Sequence, residues 1–242
     1  MKKYIFDVDG TLADANEPMD GQFMRWFEHW MLKKNVYLCT NNTYENILPR
    51  LGRRIVDNCV AVFTCGGNSV WVKGKEAKVV DWRPSPLLTT TVEKLINDSD
   101  FKFRSGPNFE YKTGMLSFTV AGRTASREDR NRYVMWDRQT KERNTIVETL
   151  QKKFPELYIC KAGETSIDVT SGTDKSQIIQ YFNVEDKIVF IGNDFSTYGN
   201  DKPLKTAVES RGGVVFKVEN WNDTYKFLLN DKKRVDNSTN ML

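Results

Sequence analysis

Tyr4-Ile5-Phe6-Asp7-Val8-Asp9-Gly10-Thr11-Leu12 runs an apolar segment directly into two carboxylates separated by one residue. The apolar part predicts a strand over residues 3–8. Burial explains neither acid, because a strand alternates its faces and an apolar face has no use for charge. A strand end followed by a glycine-containing loop can instead aim Asp7 and Asp9 into one crevice, where open parallel sheets bind their ligands. There one carboxylate can serve as nucleophile and the other as acid and base. The competing reading is an acidic turn that caps a helix.

Outward from this stretch the pattern alternates. A helix over residues 21–33 carries Phe23, Trp26, Phe27 and Trp30 at helical spacing, which marks a core-facing stripe. A strand over residues 36–40 ends in Thr40-Asn41-Asn42, a helix over 44–51 stops at Gly52, and a strand at 61–63 runs into Cys65-Gly66-Gly67. Residues 69–72 look like a hairpin arm. Beyond Trp82 the texture changes. Pro84 and Pro86 punctuate the chain, a helix follows around 91–96, and strands are expected at 101–104, 115–120, 157–161 and 166–169, with charged helices over 126–153. Alternation then returns: helix 175–182, strand 188–191, helix 203–210, strand 213–218, helix 221–229 and a polar tail from 231 to 242. The expected architecture is α/β: a doubly wound, Rossmann-like parallel sheet built from residues 1–83 and 171–242, with an α+β cap inserted over 84–170.

Composition narrows the function. The chain has 242 residues, 39% hydrophobic and 28% charged, as in soluble globular proteins. No apolar run is long enough to span a bilayer, and Asp7 and Asp9 interrupt the first apolar stretch before it could serve as a secretory segment, so a cytoplasmic protein without a membrane partner is expected. A net charge of +4 with no concentrated basic stripe argues against a nucleic-acid partner. The segment from Arg123 to Arg143 mixes both signs, as exposed helices do, although some of its arginines could face an anionic substrate. Cys39, Cys59, Cys65 and Cys160 form no C-x-x-C pair, and with His29 the only histidine they make no zinc site. Buried free thiols are expected.

The hexapeptide Asp7-Val8-Asp9-Gly10-Thr11-Leu12 resembles the first motif of the haloacid dehalogenase-like phosphotransferases. The resemblance implies that Asp7 accepts a phosphoryl group and that Asp9 shuttles the proton. Such chemistry also needs hydroxyl donors, a balancing cation and a metal held by oxygen. Thr40 resembles the hydroxyl residue of the family's second motif, though a Thr there also suits a helix N-cap, which Asn41 or Asn42 could serve as well. Lys175, in Thr173-Asp174-Lys175-Ser176, resembles the third-motif lysine; a surface lysine is the alternative. The loop Gly192-Asn193-Asp194 to Asn200-Asp201 resembles the metal loop. Mg²⁺ would be held by Asp7, the Asp9 carbonyl and this loop. The family's acidic residue falls on Asn193, with Asp194 one place late and Asp201 further on. Either Asp194 takes the metal role, which is the reading preferred here, or Asn193 gives a neutral oxygen.

Within the inserted segment, Lys112-Thr113-Gly114-Met115-Leu116, Gly122-Arg123, Ser126 to Arg130 and Ser166-Ile167-Asp168-Val169 resemble the cap of the eukaryotic-type phosphomannomutases. This implies a hexose phosphate substrate, with Arg123 and Arg130 on its distal phosphate, Ser166 and Asp168 on sugar hydroxyls, and a homodimer formed through the cap. Two departures matter: the family's cap arginine is Lys112, and its arginine near Asn16 is absent. A weaker clamp favours water as acceptor, so a sugar-phosphate phosphatase is the alternative. A non-catalytic binding protein with a damaged metal loop is the third reading.

Overall fold

The computed structural model describes residues 2–239. Seven strands form the larger sheet: β1 (Lys2–Phe6), β2 (Asn35–Cys39), β3 (Ala61–Thr64), β4 (Ser69–Val72), β5 (Lys75–Val79), β10 (Lys187–Gly192) and β11 (Val214–Lys217), in the order β11-β10-β1-β2-β3-β4-β5. The pairs β11–β10, β10–β1, β1–β2 and β2–β3 are parallel. The hairpin partners β4 and β5 are antiparallel additions at one edge. Because β1 has β2 on one side and β10 on the other, the strand order reverses at β1. That reversal is a topological switch point, where α/β sheets bind ligands beyond their carboxyl ends.

The apolar sequence of β1 is explained by burial on both faces. Tyr4 and Phe6 face one layer with Val36, Leu38 and Ile191, while Ile5 faces the other with Phe63, Phe190 and Leu204. The aromatic stripe of α1 (Gly21–Met31) closes the first layer: Trp30 meets Tyr4 edge-on at 5.0 Å, and Phe27 meets Phe6 at 5.3 Å. Phe23, Phe27 and Trp30 are buried and Trp26 half-buried, whereas His29 is exposed on the opposite face. α2 (Tyr44–Leu51), α3 (Arg53–Asn58) and α8 (Trp221–Thr239) pack on the same layer. A 3-10 segment, Lys175–Tyr181, and α7 (Lys202–Ser210) cover the other.

The second sheet is antiparallel, in the order β6-β7-β9-β8, from β6 (Phe109–Lys112), β7 (Met115–Thr119), β8 (Tyr158–Ala162) and β9 (Ser166–Thr170). Leu116, Phe118, Ile167 and Val169 pack beneath α4 (Pro86–Asn97), α5 (Arg127–Thr140) and α6 (Glu142–Lys153). Lys141, with φ 58°, breaks the long charged helix in two. By strand alternation Ser117, Thr119, Ser166 and Asp168 lie on the opposite face, toward the first sheet.

Several elements differ from expectation. Residues 101–104 form no strand: Phe101 is buried in the cap core, and Arg104 donates back to the carbonyls of Phe101 and Ser99 in a turn. The edge of β7 is taken by β6 instead. α4 begins at Pro86, capped by Ser85, because proline suits the first turn of a helix. The helix expected at 175–182 is 3-10. α8 continues past 229 through most of the polar tail, which holds no Pro or Gly to stop it; residues 240–242 lie outside the described residues. All four cysteines are buried and free. No helix among the described residues is long and apolar enough to cross a membrane.

Candidate active site

A cleft of about 560 Å³ opens between the two sheets, at the carboxyl ends of β1, β2 and β10. Asp7, Asp9, Thr40, Asn193 and Asp194 line it from the larger sheet. Lys112, Arg123, Arg130, Ser166 and Asp168 line it from the cap. Residues as far apart in sequence as Asp7 and Glu219 thus share one cavity because parallel strands all end on the same side.

Asp7 follows β1 and is 4% exposed. Its N–H donates to Ile191 O at 2.9 Å, which fixes the backbone against β10. Lys175 Nζ donates to Asp7 Oδ1 at 2.6 Å and to Asp201 Oδ1 at 2.7 Å. All three groups are buried, so Lys175 is not a surface residue: it lies beneath the cleft. Burial and the nearby Asp201 push Asp7 up to about 7, against the opposing pull of Lys175. For Lys175, burial acts to lower the ammonium, but Asp201 and Asp7 outweigh it and hold the group well above the ordinary lysine range. The second Asp7 oxygen, Oδ2, has only a long contact from Thr11 Oγ1 at 3.4 Å.

Asp9 is held from three directions. Arg50 Nη2 donates to Oδ1 at 2.7 Å, the Asn16 N–H reaches the same oxygen at 3.3 Å, and the Asn42 amide donates to Oδ2. No sequence signal pointed to Arg50; the guanidinium that resemblance expects near Asn16 arrives instead from the last turn of α2. Thr40 is 1% exposed and its Oγ1 accepts from the Asn42 N–H at 3.1 Å. The cap of α2 is Thr43, which leaves the Thr40 hydroxyl proton free to donate.

The loop after β10 turns its two candidate metal residues in different directions. The Asp194 Oδ1 accepts from Ser196 Oγ at 2.6 Å and from Ser196 N, so that carboxylate is folded into its own loop. The Asn193 amide, by contrast, lies against Gly10, so close that a side chain at position 10 would overlap it. Gly10 also has φ 77°, which any other residue would resist. Asp201 is fully buried; its Oδ2 accepts from the N–H groups of Asn193 (3.0 Å) and Asp194 (3.2 Å). Asp201 therefore fixes the loop and does not line the cleft. Among the described residues, no group of three or more His, Cys, Asp or Glu side chains could hold a metal.

On the cap side, Asn41 Nδ2 donates to Asp168 Oδ2 at 2.7 Å, and Lys112 Nζ donates to Asn41 O at 3.1 Å. These bonds tie cap to core. Arg123 donates to Ser166 Oγ at 3.3 Å and pairs with Glu110. Burial lowers the Arg123 guanidinium from its ordinary value. Arg130 lines the cleft from α5. Ser117, Thr119 and Asp168 each keep a buried oxygen without a partner; the two hydroxyls were not anticipated from sequence. At the mouth, Arg127 Nη1 reaches Glu17 Oε1 at 3.1 Å, and the Lys161 N–H donates to Tyr198 O at 2.7 Å.

A sequence model described as eukaryotic phosphomannomutase matches residues 33–231, more than half of the chain. A phosphomannomutase of Saccharomyces cerevisiae is 25% identical over 229 residues, spanning 87% of this chain and 90% of its own. A probable phosphomannomutase of Caenorhabditis elegans is 26% identical over 246 residues, 96% of each protein. Among solved structures, the C-terminal domain of a C. albicans trehalose-6-phosphate phosphatase shares the fold, with TM-score 0.63 at 14% identity over 94% of this chain and 90% of that one.

Proposed function

The chain belongs to the eukaryotic phosphomannomutase family, and from that membership and the cleft we propose a Mg²⁺-dependent phosphotransferase that interconverts hexose 6- and 1-phosphates through an aspartyl-phosphate on Asp7. The observation that carries this reading is the state of Asp7: buried at the switch point, Oδ1 held by Lys175, Oδ2 without a strong partner, beneath a cap that bears arginines.

Asp7 Oδ2 attacks phosphorus, the bond from phosphorus to the ester oxygen breaks, and the departing alkoxide takes a proton from Asp9. In the second half an acceptor hydroxyl returns a proton to Asp9, attacks phosphorus and releases Asp7. The Thr40 hydroxyl donates to a phosphoryl oxygen, and Lys175 balances the charge of Asp7 from below. The donor set suits a hard divalent cation: Asp7, the Asp9 carbonyl and the Asn193 amide oxygen supply oxygens only, and two buried carboxylates share one lysine, leaving negative charge to neutralise. When bound, the cation would draw charge from the phosphoryl oxygens.

Residues 84–170 act as the specificity cap over a core of 1–83 and 171–242. Arg130 grips the distal phosphate, aided by Arg123 and Lys112, while Ser166 and Asp168 meet sugar hydroxyls. The finer reading is a cytoplasmic enzyme that takes a sugar phosphate, with no nucleic-acid or membrane partner, and pairs through the cap. Four free buried thiols support a reducing compartment.

One observation favours the phosphatase alternative. Arg123 is engaged by Glu110 and Lys112 by the Asn41 carbonyl, which weakens the distal clamp a mutase needs to retain a bisphosphate. Phosphorus NMR with Mg²⁺, mannose 1-phosphate and catalytic glucose 1,6-bisphosphate decides between them. Mannose 6-phosphate is the expected product; inorganic phosphate alone would replace the mutase with a phosphatase.

A further inference from the structure

We propose that Arg50 is a positioning residue for the acid/base Asp9, acting on the reaction only through that carboxylate. The inference rests on the role given above to Asp9. Arg50 is 6% exposed and all three of its nitrogens are engaged. Nε donates to Glu17 O at 2.9 Å, Nη1 to Asn46 Oδ1 at 3.1 Å, and Nη2 to both Asp14 O at 3.0 Å and Asp9 Oδ1 at 2.7 Å. One planar group therefore fixes the loop that follows the first motif and one oxygen of the carboxylate that the motif delivers.

The consequence is directional. With Oδ1 taken by Arg50 and by the Asn16 N–H, only Oδ2 is left to exchange a proton with substrate, and its partner is the amide of Asn42, a cleft residue. A short carboxylate can rotate about two bonds; pinning one oxygen removes that freedom and presents the other in a fixed direction. A lysine could not do this, because a single ammonium cannot span four acceptors laid out in one plane. The pinned loop also reaches the cap: Glu17, whose carbonyl binds Arg50, takes Arg127 of α5 through its side chain.

Burst kinetics with 4-nitrophenyl phosphate and Mg²⁺ test this, because nitrophenolate leaves without needing a proton whereas hydrolysis of the aspartyl-phosphate needs Asp9 as base. R50Q should release about one nitrophenol per site in a fast phase and then turn over about 100-fold more slowly than the parent, within the range that general acid–base catalysis contributes. In a D9A background, R50Q should cost no more than about twofold further. R50K should also keep the fast phase and slow the second. A full additional loss in the D9A background, a fast phase abolished in folded R50Q, or turnover within about threefold of the parent would each overturn the inference. Should neither Arg50 variant fold, the residue is structural and the inference falls. A parent protein indifferent to D9A would refute the role of Asp9 itself, a distinct result that removes the inference along with it.

Discussion

At the floor of the cleft, Lys175 and Asp201 are bonded to one another, to one oxygen of Asp7 and to backbone amides, whereas on the roof Asp168, Ser117 and Thr119 each hold a buried oxygen with no partner. The floor is preorganised: its charges are fixed before any ligand arrives, which is where electrostatic stabilisation of phosphoryl transfer is most effective. The roof is incomplete, and buried polar atoms without partners cost free energy that a hydroxylated ligand would recover. The larger sheet thus supplies the fixed charges of the cleft, and the second sheet supplies its unpartnered polar atoms.

Four substitutions or conditions separate floor from roof. The largest effect is expected at the floor. Asp7→Asn should lower turnover at least about 10⁴-fold by removing the nucleophile, and it should leave no phosphoenzyme detectable by mass spectrometry. Activity that survived would refute covalent transfer. Lys175→Met leaves two buried carboxylates without their cation and should cost about 3–5 kcal/mol of stability, read as a lower denaturant midpoint. A change below about 1 kcal/mol would mean that water already reaches the floor.

The third test uses pH. The Asp7 carboxyl is raised from 3.8 to about 7 in the folded chain, so the native state binds a proton more tightly than the unfolded one. Stability should therefore fall as pH rises from about 4 to about 7, by on the order of 2–4 kcal/mol in chelator. The slope should vanish in D7N, and Mg²⁺ should flatten it. An unchanged slope in D7N would assign it to another group. The smallest effect is expected at the roof. Asp168→Asn should raise KM about 10-fold for a sugar phosphate and leave it unchanged for an aryl phosphate that lacks ring hydroxyls, with little change in melting temperature. Equal effects on both substrates would place Asp168 in the floor's function.

Much of the floor could be read from sequence for a physical reason. Parallel strands buried on both faces must be continuously apolar, so a polar residue at the end of such a run stands out, as Asp7, Thr40 and Asn193 do. The aromatic stripe of α1 and the glycine stop at residue 52 are likewise local signals. Arg50 was invisible because its partners come from a loop more than thirty residues earlier, and an arginine in the last turn of a helix looks like any solvated charge. Ser117 and Thr119 carry no local signal because hydroxyls alternate with apolar residues in ordinary half-exposed strands as well. The irregular segment 101–104 reads as a strand in sequence because Phe and charged residues alternate there.

Periodicity and strand-end chemistry are local properties, so a carboxylate at the end of a buried strand, a sheet assembled from both ends of the chain and a second α+β layer between its halves are all legible in the sequence. Packing alone brings the Asn193 amide against Gly10, folds Asp194 onto Ser196, sets Asp201 beneath the cleft and turns Arg50 onto Asp9. Each depends on which way a side chain turns once distant segments pack. That direction is set by the partner it finds: Ser196 for Asp194, the loop amides and Lys175 for Asp201, and two carbonyls of the 14–17 loop for Arg50.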